Sequence, residues 1–210
     1  MENHNGKGIF YGVIGVATLV VAIIGATFAY FSATDTDEGT IQGTAATAGL
    51  TLTVEKVSTE ATNGLIPIAE DLLTKALTAD TMCVDANGNT ACQVYRLTVK
   101  NDGTSTAIFD GSLTLTADGY TNLKWANINA NAGLTTDTTP VSVGTTLNES
   151  SVSAITTNET FTAGQTKYYY IMVYINETKA SQNDTDKGSF TGSVTFNSAG
   201  GSGTTATFTA

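Results

Sequence analysis

The strongest constraint on the fold is a series of short segments in which apolar and polar residues alternate. Residues 50–54 (LTLTV) are the first, and others follow at 92–100, 108–116, 123–128, 190–196 and 204–209. Residues 166–176 form a further predicted strand. Alternation places the apolar side chains on one face of a β-strand. The triplet Asn101-Asp102-Gly103 supplies a turn between two of these segments. About eight such strands predict an all-β protein, an antiparallel β-sandwich of the Ig-like or jelly-roll kind.

Two segments depart from simple alternation. Between residues 63 and 80, five apolar residues recur at helical spacings, which predicts one short helix that covers the surface; they are Ile68, Leu72, Leu73, Ala76 and Leu77. In residues 168–175 (YYYIMVYI) both faces are apolar, which predicts a strand at the centre of a sheet. The tyrosines of this strand either pack in the core or form a platform for sugars.

The composition agrees with a β-rich, weakly charged protein. Threonine, a β-branched residue suited to half-exposed strands, fills 40 of 210 positions, and charged residues make up only 13%. The net charge is -10, from 9 basic and 19 acidic residues, and no basic cluster is present that could neutralise a phosphate backbone. We therefore expect no nucleic-acid partner.

Residues 9–31 form an uncharged, largely apolar segment that is long enough to meet a membrane. Its most apolar part, residues 13–24, is short, and Thr27 and Ala29 fit positions -3 and -1 of a cut between Ala29 and Tyr30. This predicts a hydrophobic signal helix that is removed, so that the protein meets the membrane only before cleavage. A pilin-like alternative, cut after Gly8, would retain the helix, but Val13 stands where that class has an acidic residue.

The scarcity of histidine limits the chemistry. The only histidine, His4, lies in the predicted signal segment. Zinc proteases, Ser-His-Asp triads and Cys-His pairs all need an imidazole, and the carboxylates are scattered without an evident acid and base pair. We therefore expect no enzyme and no catalytic residues.

Cys83 and Cys92 are the only cysteines, and in an exported chain they predict a disulfide. The turn signal Asn87-Gly88 lies between them, so the bond would close a local hairpin. Residues 85–89 (DANGN) also resemble the first part of a calcium loop, although Arg96 stands where such a loop ends in glutamate. This pattern indicates calcium as the one metal that the loop could bind. We expect no other metal or cofactor.

Residues 25–32 (GATFAYFS), followed by residues 50–54, resemble the start of the TasA and camelysin family of biofilm matrix proteins. Residues 161–166 (FTAGQT) and 188–196 (GSFTGSVTF) are also similar to proteins of this class. The resemblance implies cleavage between Ala29 and Tyr30 by a signal peptidase of the SipW type. It also implies subunits that polymerise when the freed N-terminal arm of one adds as a strand to the next.

On this resemblance the chain divides into a signal peptide at 1–29, an extended donor arm at 30–48 and a β-sandwich domain at 49–210. Tyr30, Phe31 and Ile41 would anchor the arm. The implied function is a secreted structural subunit of matrix fibres at the bacterial cell surface. Its partners would be other copies of itself and an accessory matrix or anchoring protein. The alternative is a monomeric surface adhesin or carbohydrate-binding module that uses the tyrosine-rich strand or Trp125.

Overall fold

The computed structural model describes residues 40–44, 49–59, 64–80, 82–85, 87–128, 133–149, 153–178, 188–198 and 203–209. Within these ranges the chain forms eleven strands, one 3₁₀ turn (Glu70–Leu72) and one α-helix, α1 (Leu73–Leu77). The strands are β1 (Thr40–Thr44), β2 (Leu50–Lys56), β3 (Pro67–Ile68), β4 (Cys92–Asn101), β5 (Ala107–Asp118), β6 (Leu123–Ile128), β7 (Val143–Glu149), β8 (Ser153–Phe161), β9 (Thr166–Asn176), β10 (Ser189–Ser198) and β11 (Gly203–Thr209). The predicted signal helix and its cleavage site lie outside the described residues. No helix in the described ranges has the length and apolar character that a membrane span requires.

Seven strands form one sheet, with the order β1-β2-β4-β9-β6-β7 and with β3 paired to the end of β9. The β3–β9 pair is parallel, and the other pairs of this sheet are antiparallel. β9 has β4 on one side and β6 on the other. The prediction of a central strand at residues 168–175 is therefore confirmed, and both of its faces are covered, as its two apolar faces require.

Four strands form the second sheet, in the order β11-β10-β5-β8, and all of its pairs are antiparallel. Buried and more exposed residues alternate along β10 and β11. The outward positions hold hydroxyl residues, so that Thr114, Ser193 and Thr207 lie in one row across three strands. Part of the threonine excess therefore lies on the solvent face of this sheet.

The two sheets pack face to face over one hydrophobic core, to which strands of both contribute. Its large, fully buried side chains are Trp125, Tyr95, Tyr169, Phe109, Phe161, Phe190 and Phe196. Phe109 and Phe161 meet edge to face with ring centroids 5.3 Å apart, a favourable aromatic geometry. The mainly antiparallel, two-sheet arrangement confirms an all-β sandwich.

The other face of the seven-stranded sheet is covered by the segment between β2 and β4. Ile68, Leu73 and Leu77 pack with Met172 and Tyr174 in a second core cluster. The short helix predicted between residues 63 and 80 is confirmed, as the 3₁₀ turn and α1, and it has the predicted covering role. The seven-stranded sheet is thus the middle layer among the described residues.

The predicted disulfide between Cys83 and Cys92 is confirmed, and both residues are fully buried. Val84 lies opposite Thr90 in an antiparallel bridge, so the bond closes a small hairpin. Gly88 near its tip has φ 79°, a conformation that favours glycine. The disulfide therefore joins the covering segment to the start of β4.

The sequence pattern does not predict β7 and β8, which are edge strands of the two sheets. In β8 only Ile155 and Phe161 are buried. Its pairing with β5 shifts register on either side of Gly111, so the burial pattern does not keep a period of two. An irregular edge strand with two core residues resembles a loop when only its sequence is considered.

Candidate functional site

The predicted donor arm, residues 30–48, contains strand β1, which is its described part. Tyr30 and Phe31, two of its predicted anchors, lie outside the described residues. The third, Ile41, takes the register position opposite Val54 of β2. The described part of the arm thus pairs with the first core strand of its own chain, over five residue pairs.

β2 is the strand that receives β1. Leu50, Leu52 and Val54 are at most 1% exposed, while Thr51 and Thr53 between them are half-buried. Its other neighbour is β4, so β1 is the outermost strand on this side of the sheet. Without β1, the N–H and C=O groups on the outer side of β2 would form a sheet edge. Such an edge is a template for another strand.

β11 of the second sheet flanks this edge and approaches both β1 and β2. Its inward residues Ala206 and Phe208 are buried, and the Phe208 ring lies 4.1 Å from that of Tyr95, centroid to centroid. The Tyr95 hydroxyl lies within hydrogen-bonding distance of Gln93 Oε1 (2.6 Å) and of the Thr209 carbonyl oxygen (3.1 Å). Packing and hydrogen bonds therefore fix the position of β11 beside β1.

Gly49 fixes the point at which the chain enters β2. Its φ is +60°, and a Cβ at this position would lie only 2.6 Å from the Gly103 nitrogen. Its carbonyl oxygen accepts hydrogen bonds from the N–H groups of Asp102 and Gly103, the second at 3.1 Å. The Asn101 side chain in the same turn donates to the carbonyl of Phe161 at 3.2 Å. The start of β2 is thus tied to both sheets.

Polar contacts on the outer face of the seven-stranded sheet hold two covering segments, the one between β2 and β4 and residues 133–142 between β6 and β7. Tyr170 donates a hydrogen bond to Asp137, which also forms an ion pair with Arg96. Tyr174 donates to Glu70 at 3.3 Å. Burial, followed by the hydrogen bond to Asp137, raises the pKa of Tyr170 to about 12. Burial, followed by the charge of Glu70, raises the pKa of Tyr174 as well, so both hydroxyls remain donors at neutral pH.

The aromatic residues of the adhesin alternative are packed inside the molecule. Trp125 is fully buried between the sheets, and Tyr170 and Tyr174 are at most 4% exposed under the covering segments. Tyr168 is half-buried. A ring that stacks on a sugar needs one open face, and the buried rings of Trp125, Tyr170 and Tyr174 offer none.

The Asp85 carboxylate is used within its own loop. Oδ1 accepts the N–H groups of Asn87 and Asn89, both at 2.8 Å, and Oδ2 accepts the Asn89 side-chain amide at 3.1 Å. Hydrogen bonds from Asn89, first from its backbone, lower the pKa of Asp85. Calcium would need these same oxygens. In the described part of the chain, no three His, Cys, Asp or Glu residues are grouped to hold a metal.

Two features of the structure have little signal in the sequence. Strand β1 (TIQGT) contains a single large apolar residue, which is too little to predict a strand. Lys167 and Glu159 form an ion pair inside the sandwich, with Lys167 only 8% exposed and its Nζ 4.9 Å from the centre of the Phe161 ring. The alternation of Lys167 with Tyr169 and Ile171 is the one sequence signal that places this lysine on the core face.

The arrangement with the clearest geometry is the edge of β2 with β1 in place. It consists of a strand whose side chains belong to the core, a fixed entry at Gly49 and the flanking strand β11. Its chemistry is backbone pairing between strands. No protein-family model matches the chain, and no curated protein matches its sequence.

Proposed function

We propose that the chain is a secreted structural subunit of extracellular or biofilm-matrix fibres that polymerises head to tail by N-terminal strand donation. The observation that carries the proposal is the pairing of β1, the described part of the predicted arm, with the edge of β2. The same backbone groups can accept the arm of another molecule, which is the general mode of β-strand addition. A head-to-tail contact that does not close on itself makes filaments.

The proposal includes the finer fold assignment, an Ig-like or jelly-roll sandwich preceded by a signal helix. Its support is the path of the chain between the sheets. β5 and β8 belong to the four-stranded sheet, whereas β4, β6, β7 and β9 belong to the seven-stranded one. Repeated crossing between two sheets is typical of Greek-key and jelly-roll sandwiches.

The disulfide supports an exported protein. Disulfides persist in oxidising compartments such as the cell surface, and this one is fully buried between the covering segment and β4. The proposed partners are other copies of the chain, a SipW-type signal peptidase and an accessory matrix or anchoring protein. The proposed role requires no catalytic residue and no cofactor, and it involves the membrane only before cleavage.

The test is to produce the full chain in a bacterium with a suitable signal peptidase and to view the exported protein by negative-stain electron microscopy. We expect fibres, and an N-terminal sequence that starts at Tyr30. In a variant, a Gly/Ser sequence of equal length replaces residues 32–48, which keeps the predicted cleavage site. We expect this variant to be exported and to keep its β-rich circular dichroism spectrum but to form no fibres.

A matched control is Thr114→Ala with Ser193→Ala, which alters the outer face of the four-stranded sheet and leaves the β2 edge intact. This control should form fibres as the unaltered chain does. Normal fibres from the Gly/Ser variant would rule out donation of residues 32–48, the part of the arm that contains β1. A soluble monomer at every concentration would favour the adhesin alternative, and a start at Ile9 would favour the pilin-like one.

A further inference from the structure

We infer that Asn87 is a site of spontaneous covalent modification: its side chain cyclises onto the backbone nitrogen of Gly88 and is converted to aspartate or isoaspartate. The two residues lie at the tip of the hairpin that the bond between Cys83 and Cys92 closes, and both are exposed to solvent. The proposed fibre role makes no use of them, so this inference stands apart from that role.

The reaction is an intramolecular substitution followed by hydrolysis, and solvent water is its only co-reactant. The Gly88 nitrogen forms a bond to Cγ of Asn87, and the bond between Cγ and Nδ2 breaks. Ammonia leaves with the proton that the Gly88 N–H gives up, and a five-membered succinimide ring remains. Water then opens one of the two C–N bonds of the ring. One opening gives aspartate, and the other gives isoaspartate, in which the main chain runs through the former side chain.

Gly88 leaves its own nitrogen open to this attack. A side chain on the residue after an asparagine crowds the attacking nitrogen, and glycine has none. No described atom, apart from those of its chain neighbours, lies within 4 Å of the place where a Cβ of Gly88 would stand. The nitrogen can therefore be reached both by solvent and by the side chain of Asn87.

Asn89 in the same hairpin offers an internal comparison. Its side-chain amide donates to Asp85 Oδ2 at 3.1 Å, and the residue is half-buried. It precedes Thr90, which is buried and whose branched Cβ crowds the backbone nitrogen. We therefore expect Asn89 to keep its amide while Asn87 reacts. Asn63, which also precedes a glycine, lies outside the described residues.

Hydrogen bonds at the tip set the rate of the reaction. The Gly88 N–H donates to the Asp85 carbonyl at 3.1 Å, and the Asp85 carboxylate accepts the Asn87 N–H at 2.8 Å. Cyclisation breaks the first of these bonds, because the nitrogen gives up that proton. The tip is exposed, and exposed hydrogen bonds open more often than buried ones. The folded protein therefore reacts through brief openings of the tip.

Isoaspartate changes the tip of the hairpin and leaves its base in place. The longer main chain moves the N–H groups that Asp85 Oδ1 accepts, those of residue 87 and of Asn89. The base is held by the disulfide and by the hydrogen bond from the Ala91 N–H to the Cys83 carbonyl at 2.7 Å. The covering segment thus keeps its attachment to β4, while the tip gains a negative charge beside Asp85.

The experiment incubates the exported protein in mildly alkaline buffer, where the backbone nitrogen gives up its proton more readily, and maps its peptides by mass spectrometry at intervals. We expect the peptide that contains residue 87 to gain the mass difference between a hydroxyl and an amino group. It should split into an aspartyl and an isoaspartyl form that separate on chromatography, and fragment spectra should place the change at Asn87 rather than Asn89. Asn87→Gln, which would need a larger ring, should show no such change.

A second variant tests the part played by the hydrogen bonds. Asp85→Ala removes the carboxylate that holds the tip and leaves Asn87 and Gly88 in place. We expect this variant to convert Asn87 about tenfold faster, which corresponds to the loss of about one net hydrogen bond to a charged group. The matched control is Asp71→Ala, which removes an exposed carboxylate from the 3₁₀ turn and should leave the rate unchanged. Circular dichroism confirms that each variant is folded during the incubation.

Two results would overturn the inference. One is an intact Asn87 in the folded protein under conditions in which the reduced, urea-unfolded chain converts it, because the hairpin would then block the reaction. The other is a faster conversion of Asn89 than of Asn87. Equal rates in Asp85→Ala and the unaltered chain would contradict control by the hydrogen bonds of the tip. All of these results are obtained without fibres, so they are independent of the outcome for the proposed function.

Discussion

At the scale of single residues, the most consequential groups are the tyrosine hydroxyls of β9, which donate to carboxylates of the covering segments. Tyr170 donates to Asp137, and Tyr174 donates to Glu70. Each bond requires the neutral phenol, because a phenolate beside a carboxylate would be both buried and repelled. The contacts that close the outer face of the seven-stranded sheet therefore depend on protons that these residues keep at neutral pH.

This dependence predicts a loss of stability in alkali. Burial and the bond to Asp137 raise the pKa of Tyr170 to about 12 in the folded protein, above its ordinary value of 10.0. Between these values the unfolded chain releases the proton and the folded chain keeps it. The stabilisation is thus complete below pH 10 and is lost as the pH rises towards 12. Burial also raises the pKa of Tyr169 and Tyr174, which adds to the loss.

Urea unfolding at a series of pH values between 8 and about 12 measures this effect as a falling free energy of unfolding. Tyr170→Phe is the matched variant, because it keeps the ring and removes the titrating hydroxyl. The decline between pH 10 and 12 should be shallower in this variant than in the unaltered chain. Identical slopes in the two proteins would mean that Tyr170 is not responsible.

At the scale of elements, the sequence predicts best those strands that bury a regular face. β6 and β9 have the predicted bounds, and β2, β4 and β5 extend the predicted segments by one to three residues. β9 is predictable even in its position, since residues apolar on both faces need cover on both. The sequences of β1 (TIQGT) and β7 (VGTTLNE) contain too few large apolar residues to show a period, and β8 has only two core residues. The pairing of all three strands is decided by partners that are distant in the sequence. The β2 edge could not be predicted either, because it forms only when β1, β4 and β11, which are distant in the sequence, assemble around β2.

Removal of the disulfide should affect mainly the segment that it joins to β4. Cys83→Ala with Cys92→Ala opens a loop of sequence separation 9, which should lower the free energy of unfolding by about 2 to 3 kcal/mol by the chain-entropy estimate. The covering segment loses its bond to β4, so its amides should exchange faster with solvent. Ile66, whose N–H group donates to the Thr90 carbonyl, is a suitable reporter.

Hydrogen exchange measured by mass spectrometry distinguishes this local opening from general loosening. Amides of β10, which pairs with β5 and β11 in the other sheet, serve as the internal control and should keep their protection in native buffer. Equal acceleration in both regions would show that the disulfide stabilises the whole sandwich rather than its outer cover. An unchanged free energy of unfolding would contradict the predicted stabilisation itself.

At the scale of the whole molecule, net charge opposes the association that the proposed function needs. The chain carries -10, and the figure is the same for residues 30–210, because Glu2 and Lys7 are the only charged residues before them and they cancel. Subunits of the same sign repel each other over roughly 10 Å at 0.1 M salt and over roughly 30 Å at 0.01 M. The strand pairing that joins subunits is short-ranged, so repulsion controls how often they meet.

Assembly should therefore accelerate with ionic strength. Raising sodium chloride from about 0.01 M to about 0.1 M shortens the screening length by about threefold, and the lag before fibres appear should shorten accordingly. Asp71→Asn with Asp80→Asn neutralises two exposed charges outside β1 and β2, and should shorten the lag at low salt but not at high salt. Light scattering at fixed protein concentration follows both effects. A lag that lengthens with salt would show that attraction between charged groups, rather than backbone pairing against a background of repulsion, brings the subunits together.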